Sequence, residues 1–221
     1  MHEFRLPDTT QRVAIVGRTG SGKTQFATWI LSNAAFDQQP YIIYDWKRDG
    51  LIGQIPYLEE IGLGEVPRHG GLYVVHPLPH DEEAVEQSFA AIWQQENVGL
   101  YVDECYMINK NSKWYKACLT QGRSKHIPII NLTQRPVEVS RFMFSESDFY
   151  SAFHLNDSRD QDTVNAFMPV DISKRLPQYH SHWYDVGRDA SFEMLPAPAA
   201  ADILTKFNDR LQPDKPARIF I

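Results

Sequence analysis

"RVAIVGRTGSGKTQF" occupies residues 12–26, and the order of its parts decides the fold. Val13 to Val16 make a short apolar run of the kind that forms a buried strand. From Lys23 to Phe36, the apolar residues Phe26, Trp29, Ile30 and Ala34 return at helical spacing. Between the two, Gly17, Arg18, Thr19, Gly20, Ser21, Gly22, Lys23 and Thr24 satisfy G-x-x-x-x-G-K-[ST] at every position. The glycines allow a tight turn that points successive N–H groups inward, and the following helix adds its positive N-terminal end. Lys23 reaches the β and γ phosphates, Thr24 offers its hydroxyl to Mg²⁺, and Gln25 follows at the head of the helix. A glycine-rich turn matching by accident has no need of a strand before it and a helix after it. The stretch reads as a triphosphate site.

Working outward, apolar runs and helical stretches alternate. Residues 41–45, 71–77, 98–104, 127–134 and 149–155 read as further strands, and 81–96 and 112–121 as helices, the former opening on three acids that suit a helix N-terminus. Alternation of this kind implies parallel crossovers and an α/β sheet covered on both faces. Residues 46–71 are rich in Gly and Pro and read as loop, with 57–63 able to form one or two helical turns. After about residue 169 the pattern changes to a hairpin over 180–195, turning at Val186 to Asp189, and a Pro-started helix over 196–211. We expect one domain, with a core over about 12–168 and a C-terminal hairpin, helix and tail over 169–221. The apolar end of the tail, Ile219 to Ile221, suggests docking on its own sheet or on a neighbouring subunit.

Composition excludes several classes. With 221 residues, 43% hydrophobic and 12% aromatic, the chain is neither disordered nor fibrous, and no apolar run reaches the roughly 18 residues a membrane helix needs. The N-terminal residues lack the basic start and apolar stretch of a secretory signal, so a cytoplasmic protein with no membrane insertion is expected. Cys105 and Cys118 form no C-x-x-C pair and read as buried thiols. The net charge of −6 argues against a surface that is basic throughout, though a few cations facing a ring axis would be multiplied by the copy number.

A phosphate loop needs a second acid to hold the metal, and "VGLYVDE" (98–104) supplies it at the end of an apolar run. Asp103 would coordinate Mg²⁺ directly or through water, and Glu104 would polarise a water for attack on the γ phosphate. A kinase of small metabolites has another hydroxyl as acceptor and needs no such glutamate. A GTPase would need an N-K-x-D segment, and the chain has none. ATP hydrolysis is the expected result, against a small-molecule kinase, a nucleotide-dependent switch or a nucleotide-binding scaffold without turnover.

"QGRSKHIPIINLTQRP" (121–136) resembles the G-R-x-x-G-I-x-L-I-x-x-T-Q-R-P stretch of the FtsK/HerA superfamily of ring-forming DNA-translocating ATPases. "YDWKRDG" (44–50) is similar to the family's Asp-x-Lys segment and "NDSRDQDTV" (156–164) to its Asp-Ser-Arg segment, so the likeness spans about residues 12–165. Two departures are His126, where the family has Gly, and Asp49, where Glu is frequent. The resemblance implies a P-loop NTPase with a RecA-like, mostly parallel sheet, ATP and Mg²⁺ as cofactors, and a homo-oligomeric ring, a hexamer, around double-stranded DNA contacted without regard to sequence. It makes Gln134 a sensor of the γ phosphate and Arg123 an arginine finger donated in trans, with Arg159 its closest rival and Arg135 and Arg141 further ones. Pore contacts are expected at Lys47 and Arg48, or at Lys110, Lys113 and Lys116. Because the chain holds only this core, it looks like the genome-packaging ATPases of tailless viruses with internal membranes. Such a protein would work in the host cytoplasm or at a packaging vertex of the virion. A plasmid or mobile-element translocase and a phage extrusion ATPase are the alternatives within the motor class.

Overall fold

The computed structural model describes residues 4–212. In chain order the elements are β1 (Arg12–Val16), α1 (Lys23–Asn33), β2 (Pro40–Tyr44), β3 (Glu59–Glu60), β4 (Gly71–Val75), α2 (Glu82–Gln95), β5 (Gly99–Val102), α3 (Lys113–Gln121), β6 (Ile129–Thr133), α4 (Phe142–Ser145), β7 (Phe149–Ala152), α5 (Ser158–Asn165), β8 (Ser181–Asp185), β9 (Ala190–Met194) and α6 (Ala200–Leu211). The strands form one nine-stranded sheet in the order β3-β4-β2-β5-β6-β1-β7-β8-β9. Every pair from β3 to β7 is parallel, and the β7–β8 and β8–β9 pairs are antiparallel.

The central strands are buried along their whole length because helices cover both faces. Strand periodicity divides β1 between two cores. Ala14 and Val16 face a cluster with Phe89 and Leu119 of α2 and α3, and Val13 and Ile15 face one with Phe26 and Ile30 of α1 and Phe207 of α6. Since β1, β5, β6 and β7 run the same way, their C-terminal ends lie along one edge of the sheet, and the loops that follow them meet there.

Three expectations need revision or extension. Residues 57–63 make no helical turn: Glu59 and Glu60 form the edge strand β3, paired in parallel with Tyr73 and Val74. The pairing partner lies beyond the reach of local periodicity, so the tertiary contact decides. The hairpin turns where expected, through a 3₁₀ turn at Val186–Arg188, but it continues the sheet rather than standing apart from it. Trp183 of β8 is fully buried, stacked on Phe149 at 5.2 Å and also meeting Phe26 of α1 and Phe4. Arg5 pins the hairpin from the N-terminal segment with two bonds to Asp185, 2.6 and 2.9 Å. Residues 158–165, read above only as a sequence motif, form α5, capped by Asp157 accepting from Arg159 N. The apolar tail residues 219–221 lie outside the described residues.

Candidate active site

The phosphate loop leaves β1 between two strand ends. Gly17 N donates to Thr133 O at 3.2 Å and Arg18 N to His154 O at 3.1 Å, which fastens the loop to the last residue of β6 and to the chain just beyond β7. A Cβ at Gly17 would lie 2.6 Å from Ser21 Oγ and 2.7 Å from Phe153 Cβ, so no side chain fits. Gly22, with φ of 94°, precedes α1 in the left-handed region that only glycine enters without strain. Lys23 and Thr24 then open α1, and Gln25 bonds Pro198 O at 2.7 Å.

Asp103 and Glu104 follow β5 at the same edge, 1% and 0% exposed. Glu104 holds a left-handed backbone, φ 50° and ψ 52°, a conformation that costs a non-glycine residue free energy. Its N–H bonds Asp103 Oδ1 at 3.1 Å. Lys23 Nζ lies 3.2 Å from Glu104 Oε1, and Lys47 Nζ donates to that same oxygen. Glu104 Oε2 is enclosed and has no partner. Burial, and then the adjacent Glu104 charge, push the Asp103 carboxyl up to about 7 against the pull of Lys23 and Lys47. Asp45, behind Lys47, is also raised by burial, eased by hydrogen bonds from Asp49 N and Lys47 N and by His76. Lys47 is raised: burial, the largest single influence, works against its charge, and the hydrogen bond to Glu104 together with the negative charges of Glu104 and Asp103 outweighs it.

Such crowding of buried carboxylates suits a divalent cation. Among the described residues no group of three or more His, Cys, Asp or Glu side chains would hold a metal by itself. Mg²⁺ keeps waters and takes much of its shell from substrate phosphates, so Thr24 and Asp103 with an orphaned Glu104 oxygen nearby fit it.

Gln134, just past β6, meets the loop: Thr19 Oγ1 donates to its Oε1. Arg18, Thr19, Gln134, Arg135, Asn156 and Asp157 line a cavity of about 310 Å³ beside the phosphate loop. A larger groove of about 930 Å³ holds Lys110 and Lys113 beside Glu82, Glu83 and Glu86, but no phosphate-loop residue. Geometry, not volume, therefore locates the chemistry.

Arg123 lies elsewhere. It sits in the 3₁₀ turn Gly122–Lys125 that precedes β6, hence at the N-terminal edge of the sheet, and its guanidinium bonds Asp148 with 59% of the side chain exposed. Arg159 heads α5 on the phosphate-loop edge, 79% exposed and held by Asp157. Arg141 lies over the Phe167 ring. His126, standing where the resembling family has Gly, takes φ of 52° and so keeps the backbone a glycine would adopt.

Of the cations expected at a pore, Arg48, Lys110 and Lys113 are exposed, and Lys47 is exposed along part of its side chain while its ammonium reaches inward to Glu104. Cys105 and Cys118 are buried free thiols, both raised by burial, Cys118 to about 12. Sequence reasoning missed the place of Lys47 in the site, although the Asp-x-Lys segment at a strand end was the available signal. It also missed Tyr179, whose ring would lie 3.2 Å from a Cβ on Gly22, and no local signal marks that residue.

No protein-family model matches the chain. The chain is 41% identical over 216 residues to the DNA packaging ATPase P9 of Enterobacteria phage PRD1, covering 93% of this chain and 95% of that protein. Among solved structures, the genome packaging NTPase B204 of Sulfolobus turreted icosahedral virus 2 superposes with a TM-score of 0.69 at 20% identity, over 86% of this chain and 98% of that one. The conjugation coupling protein TcpA of pCW3 superposes with a TM-score of 0.57 at 12% identity, over 89% and 64%. The last two establish a shared fold. With a phosphate loop, a buried Asp-Glu pair and 41% identity to P9 over nearly the full length of both chains, the chain belongs to the family of the viral DNA packaging ATPase P9.

Proposed function

We propose that this chain is a viral genome-packaging ATPase: it hydrolyses ATP and uses the energy to drive double-stranded DNA into a preformed capsid. The observation that carries the reading is the meeting of Lys23, Asp103 and Glu104 at one sheet edge in a chain 41% identical to a packaging ATPase. Residues 17–25 cradle the triphosphate, and Thr24 and Asp103 hold Mg²⁺. Glu104 orients and deprotonates the attacking water. Gln134, tied to the loop through Thr19, registers the γ phosphate.

Arg123 completes a neighbour's site. At the N-terminal edge of its own sheet it is remote from its own phosphate loop, so a finger role requires a second copy. That copy number closes a ring, six by the resemblance. Arg48, Lys110 and Lys113 are exposed cations available to DNA phosphates. A capsid vertex is the further partner this role demands, and no described helix is long and apolar enough to cross a membrane.

The test is ATPase rate per subunit against protein concentration, with and without duplex DNA. The expected result is a steep rise with concentration and a DNA stimulation that weakens as salt increases. A rate per subunit independent of concentration and indifferent to DNA would overturn the ring and the translocation together.

A further inference from the structure

Lys47 links the surface to the buried base. It stands on the loop between β2 and the 3₁₀ turn Ile52–Gln54, with its side chain 41% exposed. Asp45 braces that loop by accepting from Lys47 N at 3.1 Å and Asp49 N at 2.9 Å, and Asp49 accepts from Leu51 N at 2.9 Å. Asp45 N is in turn bonded to Val75 O at 3.0 Å, so the base of the loop is anchored to the sheet. Its tip projects Lys47 and Arg48, the latter with φ of 53°.

From this tip Lys47 Nζ reaches Glu104 Oε1, the oxygen that Lys23 Nζ also approaches at 3.2 Å. Two ammonium groups on one carboxylate oxygen occupy the lone pairs with which it would accept from water, and Oε2 is enclosed without a partner. Lys23 is drawn to the β and γ phosphates by the role of its loop. The Lys47 bond is then the remaining tether on the base, and the opposite side of Lys47 faces solvent.

We infer that Lys47 is a positioning residue that withholds Glu104 from water, and that the phosphate backbone of DNA, reaching the Lys47–Arg48 tip, draws Lys47 off and frees the base. Lys47 touches no reacting atom in this arrangement; it acts through Glu104. A ring would thereby hydrolyse ATP when DNA is in its path and idle otherwise. The inference rests on the packaging reading, because it assigns the loop a polyanionic trigger.

The experiment measures kcat for the full-length chain with and without duplex DNA in wild type, Lys47→Ala, Lys47→Met and Lys47→Arg, with thermal melting and ATP-analogue binding to verify that each variant is folded. Lys47→Ala and Lys47→Met should raise the DNA-free kcat roughly fivefold or more and bring the ratio of rates with and without DNA towards one. Lys47→Arg, which keeps a cation able to bridge to a carboxylate, should preserve the ratio. Equal loss of rate with and without DNA in the Ala and Met variants would make Lys47 a catalytic cation and overturn the inference, as would an unchanged ratio. A wild-type enzyme that turns over ATP yet ignores DNA would overturn the packaging reading as well, and that result is read before any variant is made.

Discussion

The two edges of the sheet carry charge in opposite ways. At the C-terminal edge, Asp45, Asp103 and Glu104 are buried together, two of the carboxyls are pushed upward, and Glu104 keeps an unpaired oxygen and a strained backbone. At the N-terminal edge, Asp148 accepts from Arg12 N at 2.9 Å, lies 3.6 Å from Arg12 Nε and bonds Arg123, while Arg12 also donates to Leu119 O. Among these groups the carboxyls outnumber the lysines Lys23 and Lys47 at the first edge, and two arginines share one carboxylate at the second. Parallel strands bring their following loops together at one end only, so the chemistry collects there. The other end leaves the Arg123 side chain more than half exposed.

Replacing Arg123 probes this division with the largest expected effect. If Arg123 serves a neighbouring site, Arg123→Ala should lower the ATPase rate about 10³-fold or more, while a nucleotide analogue still binds. An unchanged rate would confine the N-terminal edge to holding the fold together and shift attention to Arg159.

Asp148→Ala tests the same edge for stability. It strips the partner from a buried Arg12 guanidinium and leaves an uncompensated charge, which should cost about 3 kcal/mol in a denaturant titration. A loss under about 1 kcal/mol would mean that Leu119 O and solvent satisfy Arg12 alone.

A pH-dependent effect concerns Asp103. Its folded value of about 7 lies above that of an ordinary carboxyl, so between about 4 and 7 the folded chain binds more protons than the unfolded one. The stability this group contributes is fully present below that window and is lost as pH rises through about 7. Melting of chelator-treated protein should therefore show a decline across that window, and Asp103→Asn should flatten it. The same slope in the variant would assign the titration to another group.

Much of the fold was legible because its signals are local. The phosphate loop, the buried strands and the helices around them announce themselves within a few residues, and so did the turn at Val186–Asp189. β3 was not legible: Glu59 and Glu60 have no strand character, and only pairing with Tyr73 and Val74 makes them one. In the site, Lys23, Asp103 and Glu104 were found by motif, and the approach of Lys47 to Glu104 was not, because it joins residues 57 positions apart.

By itself the sequence determined that a phosphate-loop motif follows β1 and that an Asp-Glu pair ends an apolar strand, since both depend on the chemistry of neighbouring residues. Tertiary structure alone decided which groups share the edge. Strand order set β5 and β6 between β2 and β1, which brought Lys47 and Lys23 to the same glutamate oxygen and left Arg123 at the far end. Local propensity carries no information on such placement, because the energy that fixes it is the burial of two helical layers on a sheet whose strands are not neighbours in the chain.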